Sequence, residues 1–208
     1  MVGNLWHKRI GSGAGIVLLL ITTGAYAAAP PPAIVTTTCA ACHGVNGISV
    51  APTFPDLAGQ GAPYLIAQIR DFKNHKRADP LAKSIMWGMA ATVPDNKISE
   101  IARYFASQKG PAPGIEPAAL VSAGRKIYMG GIPSTNTPAC MNCHGPTGRG
   151  LPPLFPRLAG QHIAYVTTQL GYFKQGLRTN GSSNIMHTIA SKLSSKEMSA
   201  VAAFIRTL

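Results

Sequence analysis

A chain of 208 residues, 46% hydrophobic and only 12% charged, has the composition of a globular protein and not of a disordered one, with room for one large or two small domains. Nineteen Lys+Arg against seven Asp+Glu give a net charge of +12, an excess that favours acidic partners, anionic lipid or nucleic acid.

The first element is a leader. His7, Lys8 and Arg9 form a basic start, Ile10 to Ala29 carries no charge, and Ala25-Tyr26-Ala27 supplies the small-x-small pattern that a signal peptidase accepts. Residues 1–27 are therefore expected to be a signal peptide; the alternative is a retained anchor, since the apolar stretch is nearly long enough to span a membrane. Either way the working part lies outside the cytoplasm, where an exported protein meets little nucleic acid, so nucleic acid drops out as a partner.

Beyond the leader the chain repeats itself. Cys39-Ala40-Ala41-Cys42-His43-Gly44 returns as Cys140-Met141-Asn142-Cys143-His144-Gly145, and PTFPDLAGQ at 52–60 returns as PLFPRLAGQ at 153–161. Tyr64, Gln68, Phe72, Lys73 and Arg77 match Tyr165, Gln169, Phe173, Lys174 and Arg178; one residue is then lost, and Met86 matches Met186. Between the copies, Gly110 to Pro117 is rich in Pro and Gly and cannot continue a helix. The expected domains are 28–112 and 113–208. Each reads as helical: Leu65, Ile69 and Phe72, then Val166, Leu170 and Phe173, recur at i, i+4, i+7. Ile98, Ile101, Ala102 and Phe105 form a further stripe, repeated by Met198, Val201, Ala202 and Ile205, and Ser194 with Glu197 has capping-box spacing. No alternating run suggests a sheet. The Gly/Pro-rich loops between the helices are long enough to imply that they wrap something.

All four cysteines lie in the two CxxCH segments. That motif is the attachment signature of c-type haem: Cys39 and Cys42, and again Cys140 and Cys143, form thioethers with the vinyl groups, and His43 and His144 reach the iron. Local disulfides would give no reason for a His after each second cysteine, a shared zinc site is at odds with pairs a hundred residues apart, and a thioredoxin-like motif needs a βαβ setting that is absent. Two covalently bound haem c groups would also supply the apolar centre that such small lobes lack. For the sixth ligand, lobe one offers Met86, Met89 and His75, and lobe two Met186, His187, Met198 and Met129. The repeat favours Met86 and Met186, because Met89 matches Ile189, His75 matches Gly176 and His187 matches Trp87; Met198 fits the apolar stripe. His/Met ligation at both irons favours a raised potential.

CxxCHGxxG, the PxLAGQxxxYxxxQ segment and a Met-xxx-Ala stretch before the last helix, each present twice, make the mature chain resemble the di-haem cytochrome c4 family. The resemblance implies an all-α protein of two tandem class I cytochrome c domains, packed head to head, each wrapped around one covalently bound haem. It also implies a periplasmic one-electron carrier in a respiratory chain, loosely membrane-associated, between a redox donor and a terminal oxidase or similar acceptor, with no catalysis of its own. The same class has a Pro twelve residues after the haem His whose carbonyl orients the imidazole; Pro55 and Pro156 stand at those positions. Pro94-Asp95 replaces Ser194-Ser195 ahead of the last helix of lobe one, and the chain is poor in acidic residues for the family. The alternative function is the di-haem subunit of a flavocytochrome c dehydrogenase. A two-haem peroxidase would need an open iron position, against which Met ligands on both irons argue.

Overall fold

Each copy of the repeat folds into helices in the computed structural model, which describes residues 1–3 and 30–208. The expected leader falls almost wholly outside the described residues. In lobe one a π-helical turn, Val35–Cys39, runs into α1 (Ala40–His43), followed by α2 (Ala62–Lys73), a second π-helical turn Ala82–Met86 with α3 (Trp87–Ala91), and α4 (Asp95–Ser107). Lobe two has α5 (Ala118–Gly130), α6 (Met141–His144), α7 (Ile163–Lys174), α8 (Ser183–Ala190) and α9 (Ser195–Arg206). Among the described residues the only β pairing is two isolated bridges, Ile132 with Thr137 and Leu151 with Phe155. The all-α expectation is met.

The predicted stripes face inward. Leu65, Ile98, Ile101, Ala102 and Phe105 pack together with Val35 in lobe one, and Val166, Leu170, Phe173, Met198, Val201, Ala202 and Ile205 with Tyr128 in lobe two. Met198 is thus a core residue. Ser194 and Glu197 close both halves of the capping box at the start of α9, whereas α4 begins after an extended Pro94 with Asp95 in its first turn. Both solutions place a carboxylate against the positive helix N-terminus. One lysine per lobe ties the long helix to the segment that precedes the last one: Lys73 Nζ donates to the Val93 carbonyl and Lys174 Nζ to the Leu193 carbonyl.

The loop after each CxxCH is anchored by its second glycine. Gly47 and Gly148 sit at φ +75° and +66°, and each carbonyl accepts two N–H groups, from Leu57 and Ala58 or from Leu158 and Ala159. Left-handed backbone is cheap only for glycine. Here a Cβ would also stand 2.8 Å from Ala58 N in lobe one. From that anchor the chain returns to the last helix, where Gly59 N–H and Gly160 N–H donate to Phe105 and Ile205 carbonyls. The motif CHGxxG…AGQ is therefore a closed loop pinned at both ends, and it forms one wall of a cavity.

Candidate functional site

That cavity, about 410 Å³, is lined by both lobes. Cys39, Cys42 and His43 of lobe one and Cys140, Cys143 and His144 of lobe two line it, together with Met86 and Met186. Met89 and its counterpart Ile189 line it too. The other ligand candidates stand elsewhere: Met129 and Met198 belong to the lobe-two core, His75 is exposed and stacks on Trp87 at 4.0 Å, and His187 Nδ1 lies 2.8 Å from the Phe173 carbonyl. Met141 packs against the lobe-two core.

The histidines are held identically. His43 Nδ1 lies 2.9 Å from the Pro55 carbonyl, and His144 Nδ1 lies 3.0 Å from that of Pro156. A carbonyl only accepts, so Nδ1 carries the proton and Nε2 presents a lone pair, the state required of a metal-ligating imidazole. Burial lowers the pKa of both rings; the Pro55 carbonyl and Asp56 oppose this at His43, and the Pro156 carbonyl opposes it at His144. Phe54 and Phe155 meet the rings edge-on with centroids 6.2 Å away. Burial also pushes the Cys39 and Cys140 thiols up to about 11, which keeps them neutral until they are alkylated.

Between the lobes the wall turns polar, and this the sequence did not reveal. Arg77 and Arg178, matched positions of the repeat, are both buried, each over the ring of its own lobe's phenylalanine, Phe72 or Phe173. Arg77 donates from Nε to Asp79 at 2.8 Å and from its Nη atoms to Gln68 and Gln169, each at 2.9 Å. Arg178 donates to Asn180 and Gln169 within its lobe and, across the boundary, to Gln68 and to the Tyr64 hydroxyl at 2.9 Å. Burial works against charge on Arg77, but Tyr165, Tyr64 and Asp79 outweigh it and hold its pKa above the ordinary arginine value. Burial likewise raises the Tyr165 hydroxyl, and the two guanidinium groups overcome it to bring the pKa down. The only repeat signal for this cluster was the match of Arg77 to Arg178, with Gln68 and Tyr64 to theirs.

Haem fits this donor set. The cavity is apolar over most of its lining and carries both thiol pairs, two neutral imidazoles with Nε2 available, and the Met86 and Met186 thioethers. Arg157 Nε and Gln169 Nε2, which belong to cavity-lining residues, are buried donors without a protein partner among the described residues. Haem carboxylates are the acceptors such donors call for.

Comparison with known proteins agrees. The cytochrome c family profile matches residues 29–109 and 121–208. Cytochrome c4 of Azotobacter vinelandii is 44% identical over 177 residues, which covers 82% of this chain and 84% of that protein. The thiosulfate dehydrogenase electron acceptor of Stutzerimonas stutzeri strain A1501 is 36% identical, over 80% of this chain and 76% of its own. Among solved structures, Acidithiobacillus ferrooxidans cytochrome c4 superposes with a TM-score of 0.76 at 39% identity, covering 83% of this chain and 99% of the other. The two CxxCH segments give this protein two covalently bound haem c groups, and it is an electron carrier. The chain belongs to the cytochrome c family, among the di-haem cytochromes c4.

Proposed function

We propose that the protein is a one-electron shuttle of the periplasm that takes electrons from a redox donor and delivers them to a terminal oxidase or similar acceptor, without substrate chemistry of its own. In this reading residues 1–27 are a signal peptide, and 28–112 and 113–208 are the two haem domains. Cys39, Cys42, Cys140 and Cys143 hold the haems covalently. His43 with Met86, and His144 with Met186, would ligate the two irons. The observation that carries the reading is the doubled histidine geometry: two neutral imidazoles in one cavity, each fixed by a proline carbonyl twelve residues on.

When bound, each haem supplies a one-electron ferric/ferrous couple whose potential thioether ligation raises. The chain's residues do the rest. Pro55 and Pro156 fix the imidazole planes, so little reorganises when charge changes. The apolar lining excludes water. The Arg77–Arg178 cluster holds the two lobes in one register, which sets the path between the redox centres. With Met86 and Met186 as ligands, neither iron would offer a site to a substrate, which supports a carrier and not an enzyme. Among the described residues no helix is long and apolar enough to cross a membrane; the excess of basic residues supports peripheral contact with acidic proteins or anionic lipid.

A near-infrared spectrum tests the ligand set. Met86→Ala and Met186→Ala should each remove one of two His/Met charge-transfer signals and lower that haem's potential. If Met89→Ala does so while Met86→Ala leaves ligation intact, the lobe-one assignment is wrong. A second reading, the electron-accepting subunit of a dehydrogenase, draws support from the relative that accepts electrons from thiosulfate dehydrogenase. Stable co-purification with such an enzyme would favour it over the free shuttle.

A further inference from the structure

The glutamines that end the two AGQ segments reach into each other's lobes. Gln161 Oε1 accepts from Asp56 N–H at 2.9 Å, and its Nε2 donates to the Asp56 carbonyl at 3.0 Å. Gln60 does the same at Arg157, the matched position of lobe two, at 2.8 and 3.0 Å. Each side-chain oxygen is also pinned by the next residue of its own chain segment: Gly61 N–H donates to Gln60 Oε1 at 3.0 Å and His162 N–H to Gln161 Oε1 at 3.1 Å. Both glutamines are only 7% exposed. The side chains of Asp56 and Arg157 are opposite in charge, yet the backbone pattern is the same, so the two-fold relation lies in the peptide groups.

The position of those peptides is what matters. Asp56 N–H and Pro55 C=O belong to one peptide unit, as do Arg157 N–H and Pro156 C=O. The Pro55 oxygen accepts from His43 Nδ1–H, and the Pro156 oxygen from His144 Nδ1–H. A continuous chain therefore runs from His43 Nδ1–H through the Pro55–Asp56 peptide to Gln161 Oε1, and its mirror runs from His144 through the Pro156–Arg157 peptide to Gln60. Peptide resonance couples the two ends, because an N–H engaged by an acceptor leaves its carbonyl oxygen more basic. Linked hydrogen bonds strengthen one another by roughly 10–30% each.

We infer that Gln161 tunes the haem of lobe one and Gln60 the haem of lobe two, each as a positioning residue acting across the lobe boundary on the other lobe's axial histidine. The inference rests on the reading that His43 and His144 ligate iron. A stronger hydrogen bond from Nδ1–H makes the imidazole a more basic ligand, which favours the oxidised metal. Loss of the glutamine acceptor raises the potential of the opposite lobe's haem and leaves that of its own lobe in place. A glutamine that only glues the lobes together has no reason to act on one haem and spare the other.

The test uses the haem-loaded full chain with Gln161→Leu, Gln60→Leu and Gln161→Glu. It reads both midpoint potentials and the hyperfine-shifted ring ¹⁵N resonances of His43 and His144 in the oxidised protein. Gln161→Leu should lower the oxidised-to-reduced ratio of lobe one at fixed ambient potential by about threefold, ~28 mV for a one-electron couple, and move the His43 signals alone. Gln60→Leu should do the same to lobe two and His144. Gln161→Glu keeps an acceptor and adds charge, so it should shift lobe one the opposite way, and it decides the matter if the leucine variant loses haem. Equal shifts at both haems, a shift confined to the variant's own lobe, or none at all would overturn the relay. If neither ring is hyperfine-shifted in the wild-type protein, the ligand assignment itself fails and takes the inference with it.

Discussion

Replacing Arg77 with Met isolates what holds the two lobes in register. Asp79 is fully buried, and Arg77 Nε at 2.8 Å is its cation. The two glutamine acceptors of Arg77 are insured, and its contact to the Tyr165 hydroxyl is long, at 3.4 Å. Gln68 Oε1 keeps Arg178 and Asn180 as donors, each at 3.2 Å, and Gln169 Oε1 keeps Arg178 at 2.8 Å. The cost therefore falls on Asp79, which retains only the Ala82 N–H at 3.2 Å. Breaking one half of a buried ion pair costs about 3–5 kcal/mol. For a chain of this size that lowers the melting temperature by roughly 10 °C. Lobe two already carries the neutral version, Arg178 with Asn180. Asp79→Asn should thus cost only ~1 kcal/mol, and the double variant Arg77→Met/Asp79→Asn should be more stable than Arg77→Met alone, because no buried charge is stranded. Thermal unfolding of the haem-loaded variants, followed by Soret absorbance and far-ultraviolet dichroism, measures the cycle. A double variant less stable than Arg77→Met, or an Asp79→Asn loss as large as that of Arg77→Met, would show that Asp79 does not depend on this cation.

Gly124→Ala should destabilise lobe two by at least about 1–3 kcal/mol, since a Cβ there would lie 1.9 Å from the Ala200 carbonyl oxygen where α5 crosses α9; Gly88→Ala, with open space around it, should instead stabilise α3 by roughly 0.5–1 kcal/mol. Denaturant midpoints compare the two. Protonation of carboxylates should cost the fold little. Asp95, through its hydrogen bond to Lys73, and Glu197, through Ser194, have depressed pKa values, so their contribution is present above the unfolded value and lost as pH falls through the folded one; both are exposed, and screening keeps the loss small. Asp56, raised by burial, works in the opposite sense. A steep fall in melting temperature between about pH 5 and pH 3 that Asp95→Asn with Glu197→Gln abolishes would contradict this. Residues 28–112 carry a balance of +3 and 113–208 one of +7, so Lys192→Glu with Lys196→Glu should slow association with an acidic redox partner more than Lys97→Glu with Lys109→Glu, and flatten its salt dependence. Lys97 already faces Glu100 at 2.8 Å, which adds to the contrast. Equal effects in stopped-flow rates would show that lobe two does not steer the encounter.

What the sequence determined is local or periodic. CxxCH gives the attachment because its three side chains fall within a turn and a quarter of helix; the i, i+4, i+7 stripes give the inward faces; and a proline twelve residues after each histidine gives the imidazole's partner through one pinned loop. Duplication made each of these a pair. Helix α5 left no such trace, because its buried residues are Gly124 and Tyr128, and a glycine that lets two helices touch has no hydropathy to read. Tertiary structure alone decided the rest. The Arg77–Tyr165 and Gln60–Arg157 contacts join residues 88 and 97 positions apart. At such separations partner choice is governed by how two finished lobes meet, not by the spacing of residues along a helix or strand. The matched glutamines and arginines were visible in the repeat, but a repeat says only that two positions are alike. Their pairing across lobes appears once each copy, unable to satisfy its own buried donors and acceptors, finds them in the other.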